Sequence, residues 1–295
     1  MRWPEGFIAV DWGTTNRRAY LVERDDRLSD EMEDDKGILA IEAGGFPAAV
    51  AEIGARLGDR PLLMAGMIGS NRGWIEAPYV PCPAGLSDLA ERLIWAEEGK
   101  TAIVPGLSYL SDERADVMRG EEVQILGAVA GGMIPETCLV CHPGTHNKWI
   151  EVAGGRIVSF RTVMTGEIFN LLKGQSILAD LLGEPASPGA AFRAGVRRGL
   201  SEDGITAELF SIRARILLGR ARREDAASYT SGLLIGADIR VGLRAATDDP
   251  VIVMGRPELT SLYAAALLEA GHEARQMDGE DMFLAGARKI AELIP

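Results

Sequence analysis

The spacing of apolar residues predicts an alternation of strands and helices, and the chain begins with a hairpin. Residues 7–11 and 17–23 are apolar runs of strand length on either side of the turn Trp-Gly-Thr-Thr-Asn. The pattern then predicts a solvated edge strand and loop over the charge-rich stretch 23–35, a helix over 46–58, a buried strand entering a glycine loop over 61–74, a helix over 86–97 and a strand over 101–106. This order is an α/β layer pattern opened by a strand meander.

A second meander with a Gly-Thr turn is predicted in the middle of the chain. Three strands within 137–167 are separated by turns at Gly144-Thr145 and Gly154-Gly155. The other predicted elements are a helix over 120–131 that opens on two acids, a mainly helical region over 167–246 with breaks at 183–188 and 199–204, a strand, glycine and helix over 251–271, and a last helix over 280–293. The repeated opening predicts two α/β halves with a binding site in the cleft between them.

Composition limits the kinds of ligand and the cellular location that are expected for the protein. The 295 residues carry a net charge of −12, and because such an acidic surface repels phosphate backbones, nucleic acid is not expected as a partner. The sequence contains no run of 18 apolar residues, so no membrane-spanning helix is predicted. The N-terminus lacks the charged, apolar and small-residue regions of a signal peptide. The three cysteines are too few for a disulfide framework. We therefore expect a cytoplasmic globular protein in which a site for an anion supplies its own hydrogen-bond donors.

The two hairpin turns carry the residue types of a phosphate-binding loop. The chain has no Walker sequence and no G-x-G-x-x-G after a strand, but "DWGTTN" and "PGTHNK" each place Gly-Thr between two strands. A glycine lets the backbone approach a phosphate closely, and the threonine hydroxyl and successive N–H groups can donate to the phosphate oxygens. The predicted nucleotide-binding residues of these turns are Gly13, Thr14, Thr15, Asn16, Gly144, Thr145 and His146.

Acidic residues supply candidates for metal binding and proton transfer. Asp11, at the end of the first strand, is the predicted ligand of a hydrated Mg²⁺. Glu121 and Glu122 open a helix, and because adjacent helical residues point about 100° apart, one can face the cleft while the other faces away. We assign Glu121 as the candidate general base. Zinc is not expected at Cys138 and Cys141, because side chains three positions apart on a strand point to opposite faces.

Candidate substrate contacts come from the glycine loop and from the third strand of the second meander. In "MAGMIGSNRGW", serine and asparagine can bind hydroxyl groups and an indole can flank a sugar-sized ligand, while an arginine in "FRTVMTGE" can pair with a carboxylate. The predicted substrate-binding residues are Gly69, Ser70, Asn71, Trp74, Arg161 and Thr165. Gly255, between a buried strand and a helix, lets a base or ribose lie close to the backbone.

The motifs together resemble a known family. The order "VDWGTTN", "GEE", "PGTHNKW", "VMGRPEL" and "FLAGARKIA" resembles the carbohydrate kinases of the actin, hexokinase and heat-shock chaperone superfamily. The strings "MAGMIGSNRGW", "VMRGEE", "PGTHNKW", "FRTVMTGE" and "SGLLIGA" are similar to the 2-dehydro-3-deoxygalactonokinase family over nearly the whole chain.

The resemblance implies an α/β fold of two RNase H-like halves, with mixed sheets flanked by helices and with ATP and substrate in the cleft between the halves. The implied N-terminal domain is 1–118, which holds the substrate loop and the first phosphate motif, with the C-terminal helix 280–295 packing back on it. The implied C-terminal domain is 119–279, which comprises a connecting helix and the nucleotide domain.

The resemblance also implies a reaction: Mg²⁺-assisted transfer of the γ-phosphoryl group of ATP to the C6 hydroxyl of 2-dehydro-3-deoxy-D-galactonate, in galactonate catabolism. By position, Asp11 to Asn16 fit the first phosphate motif of such kinases, Gly144 to His146 fit the second, and Gly255 fits the adenosine motif. Lys148 is expected to add positive charge near the phosphates. Relatives of the glycerol kinase type carry their catalytic aspartate in Gly-Asp-Gln, and residues 120–122 depart from this with Gly-Glu-Glu.

Several alternatives stay open at this point. The substrate is either the galactonate-derived keto acid, its gluconate-derived epimer or another small sugar acid, because epimers differ in the direction of only one hydroxyl. A non-catalytic sugar or nucleotide sensor on the same fold is less favoured, since the chain has no spare output segment. Arg17, Arg72 and Arg161 all remain candidates for the substrate carboxylate, with Arg161 ranked above Arg72. The expected partners are the sugar acid and ATP, without nucleic acid or membrane, and a homodimer is one possible assembly.

Overall fold

The structure, a computed structural model, describes residues 3–201, 204–246 and 248–294. The chain divides into two compact units. The first consists of the chain up to Glu136, residues Ala153–Ser159 and the chain from Glu280, and the second consists of Thr137–Val152 and Phe160–Gly279. The division after Glu136 differs from the predicted boundary at 118, so the helix at 120–131 belongs to the first unit.

The first unit contains two sheets. Its elements in chain order are β1 (Phe7–Trp12), β2 (Arg17–Val22), β3 (Leu28–Asp34), α1 (Phe46–Leu57), β4 (Leu62–Gly66), β5 (Val80–Pro81), α2 (Leu86–Ala90), β6 (Ile94–Glu97), β7 (Thr101–Ile103), β8 (Leu107–Leu110), β9 (Ala115–Met118) and α3 (Glu121–Ala130). The larger sheet has the order β3-β2-β1-β4-β7-β6, and the smaller has the order β5-β8-β9. Strand β1 pairs antiparallel with β2 and parallel with β4.

The hydrophobic pattern explains these positions in the first unit. Strands β1 and β4 are almost wholly apolar and buried, as expected for central strands covered on both faces. Helix α1 directs Phe46 and Ile53 into a core with Ile8 and Val10 of β1. Strand β3 is rich in acids and lies at the sheet edge, where charged side chains stay solvated, which confirms the prediction for 23–35.

The second unit repeats the same strand order. Its elements are β10 (Cys138–His142), β11 (Asn147–Ala153), β12 (Arg156–Val163), α4 (Thr165–Gln175), α5 (Ala190–Ser201), α6 (Ile205–Leu217), α7 (Ala226–Gly242), β13 (Val251–Met254), α8 (Pro257–Glu269) and β14 (Ala274–Met277). The last helix, α9 (Gly279–Leu293), belongs from Glu280 onward to the first unit. The sheet has the order β12-β11-β10-β13-β14, with β10 antiparallel to β11 and parallel to β13. A meander whose first strand pairs parallel with a later strand thus occurs in both units, as the predicted duplication requires.

Two predictions of secondary structure need correction. The stretch 86–97, predicted as one helix, forms the short helix α2 followed by strand β6, because Ile94 and Trp95 pair with β7. Strands β5, β8, β9 and β14 were not predicted, since each is only two to four residues long. In the part of the chain that the structure describes, no helix combines the length and hydropathy needed to cross a membrane.

Candidate active site

In the first Gly-Thr turn the carbonyl groups accept hydrogen bonds, the Gly13 N–H donates to the Asn16 carbonyl at 2.9 Å, and the N–H groups of the two threonines stay free among the described residues. The N–H groups of Gly37, Ile38 and Leu39 donate to the carbonyls of Thr15, Gly13 and Thr14, at 3.1, 3.0 and 3.2 Å. Within the described residues, the N–H groups of Thr14 and Thr15 donate no hydrogen bond, and both residues are exposed. A turn with outward N–H groups and satisfied carbonyls is suited to bind an anion.

A glycine outside the motif makes this arrangement possible. A Cβ on Gly37 would lie 2.3 Å from the Thr14 carbonyl oxygen and 2.4 Å from the Thr15 carbonyl carbon. The segment next to it is held by the buried Trp12, whose indole Nε1 donates to the Lys36 carbonyl at 2.9 Å. The turn therefore rests on residues 36–39, and its shape depends on them.

The structure brings Asp11 next to the start of α3. Asp11 is the half-buried fifth residue of β1, and the strand continues one residue further than predicted. Gly66, at the end of the neighbouring β4, has φ +89°, and a Cβ on it would lie 3.3 Å from Asp11 Oδ1. A Cβ on Gly120 (φ +106°) would in turn lie 3.3 Å from the Cα of Gly66. Two glycines thus allow the N-terminus of α3 to pack close to the Asp11 carboxylate.

The two glutamates at the start of α3 have different environments. Glu121 is half-exposed, and its Oε2 accepts a hydrogen bond from the Arg119 backbone N–H at 3.2 Å. Glu122 is fully buried, and both its carboxyl oxygens accept from the Gly120 N–H, at 2.9 and 2.7 Å. Burial, with a smaller contribution from Glu121, raises the pKa of Glu122 to about 8. Of the two glutamates, Glu121 therefore has the carboxylate that solvent can reach.

The second Gly-Thr turn repeats the construction of the first. The Glu167 N–H donates to the Thr145 carbonyl at 2.9 Å, and a Cβ on Gly166 would lie 2.4 Å from the Gly144 carbonyl oxygen. The N–H groups of Gly144 and Thr145 donate no hydrogen bond among the described residues. His146 is exposed on the same turn, and its Nε2 lies 2.5 Å from Glu167 Oε2. A glycine from the segment that follows the sheet meander thus packs flat against the turn in both units.

Gly255 lies close to the second turn. It follows β13 with φ +149°, and a Cβ on it would lie 3.5 Å from the Pro143 carbonyl oxygen. The Gly255 N–H donates to the Met277 carbonyl at 3.1 Å, which ties the β13–α8 loop to β14. The structure therefore brings together the residues predicted for phosphate and adenosine contacts in the second unit.

A buried carboxylate binds residues on either side of the second turn. Asp238 on α7 is 1% exposed and accepts hydrogen bonds from Asn147 Nδ2, Trp149 Nε1, Thr165 Oγ1 and Tyr263 Oη, at 2.5 to 3.0 Å. Asn147 directly follows the turn, and Thr165 begins α4. Burial raises the pKa of Asp238, although the four donors oppose that shift. The Thr165 hydroxyl is thus bound inside the protein, which argues against its predicted contact with substrate.

The predicted substrate loop is divided between buried and exposed side chains. Ser70 is buried, and its hydroxyl donates to the Met67 carbonyl at 2.7 Å, so it shapes the loop. Trp74 is half-buried and packs against the core of the first unit. Asn71 is exposed, and Gly69 is buried beside Arg119. Asn71 therefore has the only side chain among the predicted loop residues that faces solvent freely.

The basic residues that the sequence suggested as ligand contacts differ in exposure and in their partners. Arg17 is 1% exposed and pairs with Asp34 at 2.6 Å, so it does not face a ligand. Lys148 is also buried, and its Nζ donates to Thr162 Oγ1 at 2.8 Å, which limits its predicted contribution of charge to a bound phosphate. Arg161 is exposed on β12.

The acidic residues near the first turn are compatible with magnesium. Among the described residues, no three His, Cys, Asp or Glu side chains form a group that could hold a metal ion by themselves. Magnesium in phosphoryl-transfer sites usually takes only one or two carboxylates, with water and substrate phosphates as the other ligands. Asp11, beside the first Gly-Thr turn, supplies one such carboxylate.

Sequence reasoning missed four residues that shape the site: Gly37, Gly166, Asp238 and Arg119. The two glycines and Asp238 lie outside the turns, so turn motifs do not indicate them. Arg119 stands directly before Gly120 in the string "VMRGEE", and its position next to the predicted base was the available signal.

Known proteins are similar to this chain over nearly its whole length. The family model described as 2-keto-3-deoxy-galactonokinase matches residues 11–290. The 2-dehydro-3-deoxygalactonokinase of Escherichia coli K12 is 37% identical over 298 residues, which cover 98% of each chain. A crystal structure from Sinorhizobium meliloti, of a protein named as a candidate 2-dehydro-3-deoxygalactonokinase, has 34% identity and a TM-score of 0.91, covering 98% of this chain and 99% of that one.

A more distant structure shares the fold alone. Component A of the (R)-2-hydroxyglutaryl-CoA dehydratase of Acidaminococcus fermentans has 14% identity and a TM-score of 0.53, and the match covers 97% of this chain and 98% of that one. The resemblance found in the sequence motifs is confirmed by the full-length matches at 34% identity and above. The chain belongs to the 2-keto-3-deoxy-galactonokinase family.

Proposed function

We propose that this protein transfers the γ-phosphoryl group of ATP to the C6 hydroxyl of 2-dehydro-3-deoxy-D-galactonate. Family membership and the name of the Escherichia coli relative support the choice of reaction and substrate. The observation that carries the proposal is the pair of Gly-Thr turns, each with free N–H groups and each held by a glycine that tolerates no side chain. The net charge of −12 also favours a small anion held by local donors over a nucleic acid.

The turns are proposed to bind the phosphate groups of ATP. Backbone N–H groups at Thr14 and Thr15 in the first unit, and at Gly144 and Thr145 in the second, are the donors. The remaining residues of this nucleotide set are Gly13, Asn16, His146, Lys148 and Gly255. Asp11 would hold Mg²⁺ through water, and the ion when bound would neutralise charge on the phosphates.

Glu121 is proposed as the general base. Its half-exposed carboxylate takes the proton of the C6 hydroxyl, while that oxygen forms a bond to the γ-phosphorus and the bond from the γ-phosphorus to the ADP oxygen breaks. The products are ADP and the 6-phosphate of the sugar acid. The arrangement that supports this role is the packing of Gly120 on Gly66, which sets the base close to Asp11.

The test is an ADP-release assay with Mg-ATP and a panel of acceptors. The panel contains 2-dehydro-3-deoxy-D-galactonate, its gluconate-derived epimer, other aldonates and neutral sugars. Turnover of the galactonate-derived acid above all others is the expected result. Preference for the epimer would change the substrate, and absence of turnover on every sugar acid would refute the kinase proposal.

Two variants test the assigned roles. Glu121→Gln should lower kcat by about 10²- to 10⁴-fold, the usual contribution of a general base. Asp11→Asn should raise the Mg²⁺ concentration needed for half-maximal activity while the thermal unfolding curve stays close to wild type. Glu42→Gln and Asp35→Asn are matched controls, because both residues are exposed acids of the same unit. A Glu121→Gln variant of near-wild-type rate would remove Glu121 as the base.

A further inference from the structure

Arg119 is a buried cation with two nitrogen atoms that have no partner. It lies between β9 and Gly120 and is 9% exposed. Its Nη2 donates to the Ala77 carbonyl at 2.6 Å, and the guanidinium stacks on the Tyr79 ring at 4.5 Å. Its Nε and Nη1 are buried and make no hydrogen bond within the described residues. Buried donors of a charged group are rarely left unpaired, because their loss of water is not compensated.

Two other arginines of the same unit have acidic partners, whereas the Nε of Arg288 is, like two nitrogens of Arg119, buried without a hydrogen bond among the described residues. Arg17 pairs with Asp34 at 2.6 Å, and Arg156 pairs with Asp88 at 3.0 Å. The buried acid three residues after Arg119 is Glu122, whose pKa of about 8 leaves it mostly protonated at neutral pH. Among the described residues, no carboxylate forms an ion pair with the guanidinium of Arg119.

The position of Arg119 connects the substrate loop with the predicted base. A Cβ on Gly69 would lie 2.8 Å from Arg119 Nη1, so this nitrogen faces the glycine loop directly. The backbone N–H of the same arginine donates to Glu121 Oε2 at 3.2 Å. A ligand in contact with both Gly69 and Glu121 would thus pass the unpaired side of the guanidinium.

We infer that Arg119 binds the carboxylate of the sugar acid, an inference that rests on the proposed function. An arginine matches the planar geometry of a carboxylate, and the substrate's negative charge supplies the missing partner. Both nitrogens are covered in this structure, so binding requires the groups that cover them to move. This assignment replaces Arg161, the arginine favoured by the sequence, as the anchor of the substrate.

The test compares Arg119→Met and Arg119→Lys with Arg161→Met and Arg72→Met. For Arg119→Met we expect a KM for the sugar acid that is roughly 10- to 100-fold higher, as for loss of charge-assisted hydrogen bonds, and a KM for ATP within about twofold of wild type. The KM of Arg119→Lys for the sugar acid should lie between those of wild type and Arg119→Met, since lysine keeps the charge and loses the planar geometry. Arg72→Met tests the exposed arginine of the glycine loop, and its KM for the sugar acid should change less than that of Arg119→Met.

A second readout separates recognition of the carboxylate from general damage. Wild type should prefer the acid over the corresponding neutral amide, and Arg119→Met should lose most of that preference. Calorimetric binding of the sugar acid without ATP tests the same residue independently of turnover, so failure of the kinase proposal is distinguishable. If Arg119→Met does not fold, Arg119→Lys decides. Unchanged affinity for the acid in the Arg119 variants, or a larger loss in Arg161→Met, would overturn the inference.

Discussion

Gly166→Ala tests whether the second turn is held in place by the glycine that packs against it. The added Cβ would lie 2.4 Å from the Gly144 carbonyl oxygen and 2.9 Å from the Cα of Thr145. Both contacts are to backbone, which cannot rotate away as a side chain can. Reaching an ordinary C···O separation of about 3.3 Å requires the start of α4 and the turn to move apart by about 0.9 Å.

The effect on activity should exceed the effect on stability. Misplacement of a binding group by about 1 Å costs on the order of 10²-fold in rate, so we expect kcat/KM for ATP to fall by about that factor. Overpacking costs roughly 1–3 kcal/mol, but alanine is favoured over glycine in a helix by up to about 1 kcal/mol. The net destabilisation of Gly166→Ala should therefore be no more than about 2 kcal/mol.

Gly174→Ala is the matched control in the same helix. Gly174 is exposed, and a Cβ there would meet nothing within 4 Å. This variant should gain about 0.5–1 kcal/mol and keep wild-type kinetics. The assay is steady-state ADP release at varied ATP, with chemical denaturation to measure stability. Wild-type kcat/KM for ATP in Gly166→Ala would refute the idea that this packing positions a phosphate-binding turn.

Three further variants test other parts of the structure. Gly37→Ala should impair ATP use as Gly166→Ala does, because its Cβ would lie 2.3 Å from the Thr14 carbonyl oxygen, whereas Gly54→Ala, with open space around it, should be neutral in the same ADP-release assay. The pKa of Glu122 is about 8 in the folded state against an ordinary 4.5, so the folded state binds this proton more tightly than the unfolded chain does. The protonated carboxyl therefore contributes to the free energy of unfolding in full below pH 4.5, and this contribution is lost as pH rises through 8. Glu122→Gln should remove a fall of up to about 1.4 kcal/mol per pH unit in the free energy of unfolding between pH 5 and 8, measured by denaturation, and an unchanged slope would contradict the burial of this carboxyl. Asp238→Asn should lower the free energy of unfolding by roughly 2–3 kcal/mol, since an amide cannot accept from all four donors, and a variant as stable as wild type would show that the network contributes little.

The duplicated fold could be predicted because its signals are local. Each meander consists of apolar runs separated by turn residues, so β1, β2, β10 and β11 were found together with the turns between them. The charges of 23–35 correctly indicated an edge strand. Helix α1 was found from the spacing of its apolar residues, and it ends one residue before the predicted end at 58.

The missed elements depend on partners far away in the chain. Strand β5 contains two residues and is defined only by its pairing with β8, where Val80 meets Leu107. Trp95 lies in a stretch of helical composition but forms a strand because Ala102 of β7 is its partner. Strand formation in such short segments follows from tertiary contacts, which neither periodicity nor propensity contains.

The site divides in the same way between local and distant determinants. The turns could be predicted from their own residues, since glycine permits close approach of the backbone and threonine supplies a hydroxyl donor. The groups that hold the turns do not, because Gly37 and Gly166 act through the absence of a side chain and Asp238 acts from a helix nearly 100 residues later. Thr165 illustrates the converse error: a hydroxyl in a motif string was assigned to substrate, but the structure binds it to Asp238.

The use of backbone amides also explains how a chain with a net charge of −12 can serve a polyanionic substrate. Phosphate sites built from lysine and arginine would require those side chains to be free, yet Lys148 donates to Thr162 and Arg17 is paired with Asp34. Backbone N–H groups carry no net charge and are fixed by the turn, so their contribution requires only that the turn keeps its shape. We therefore expect the support by Gly37 and Gly166 to matter for phosphate binding, because the proposed donors act through position and not through charge.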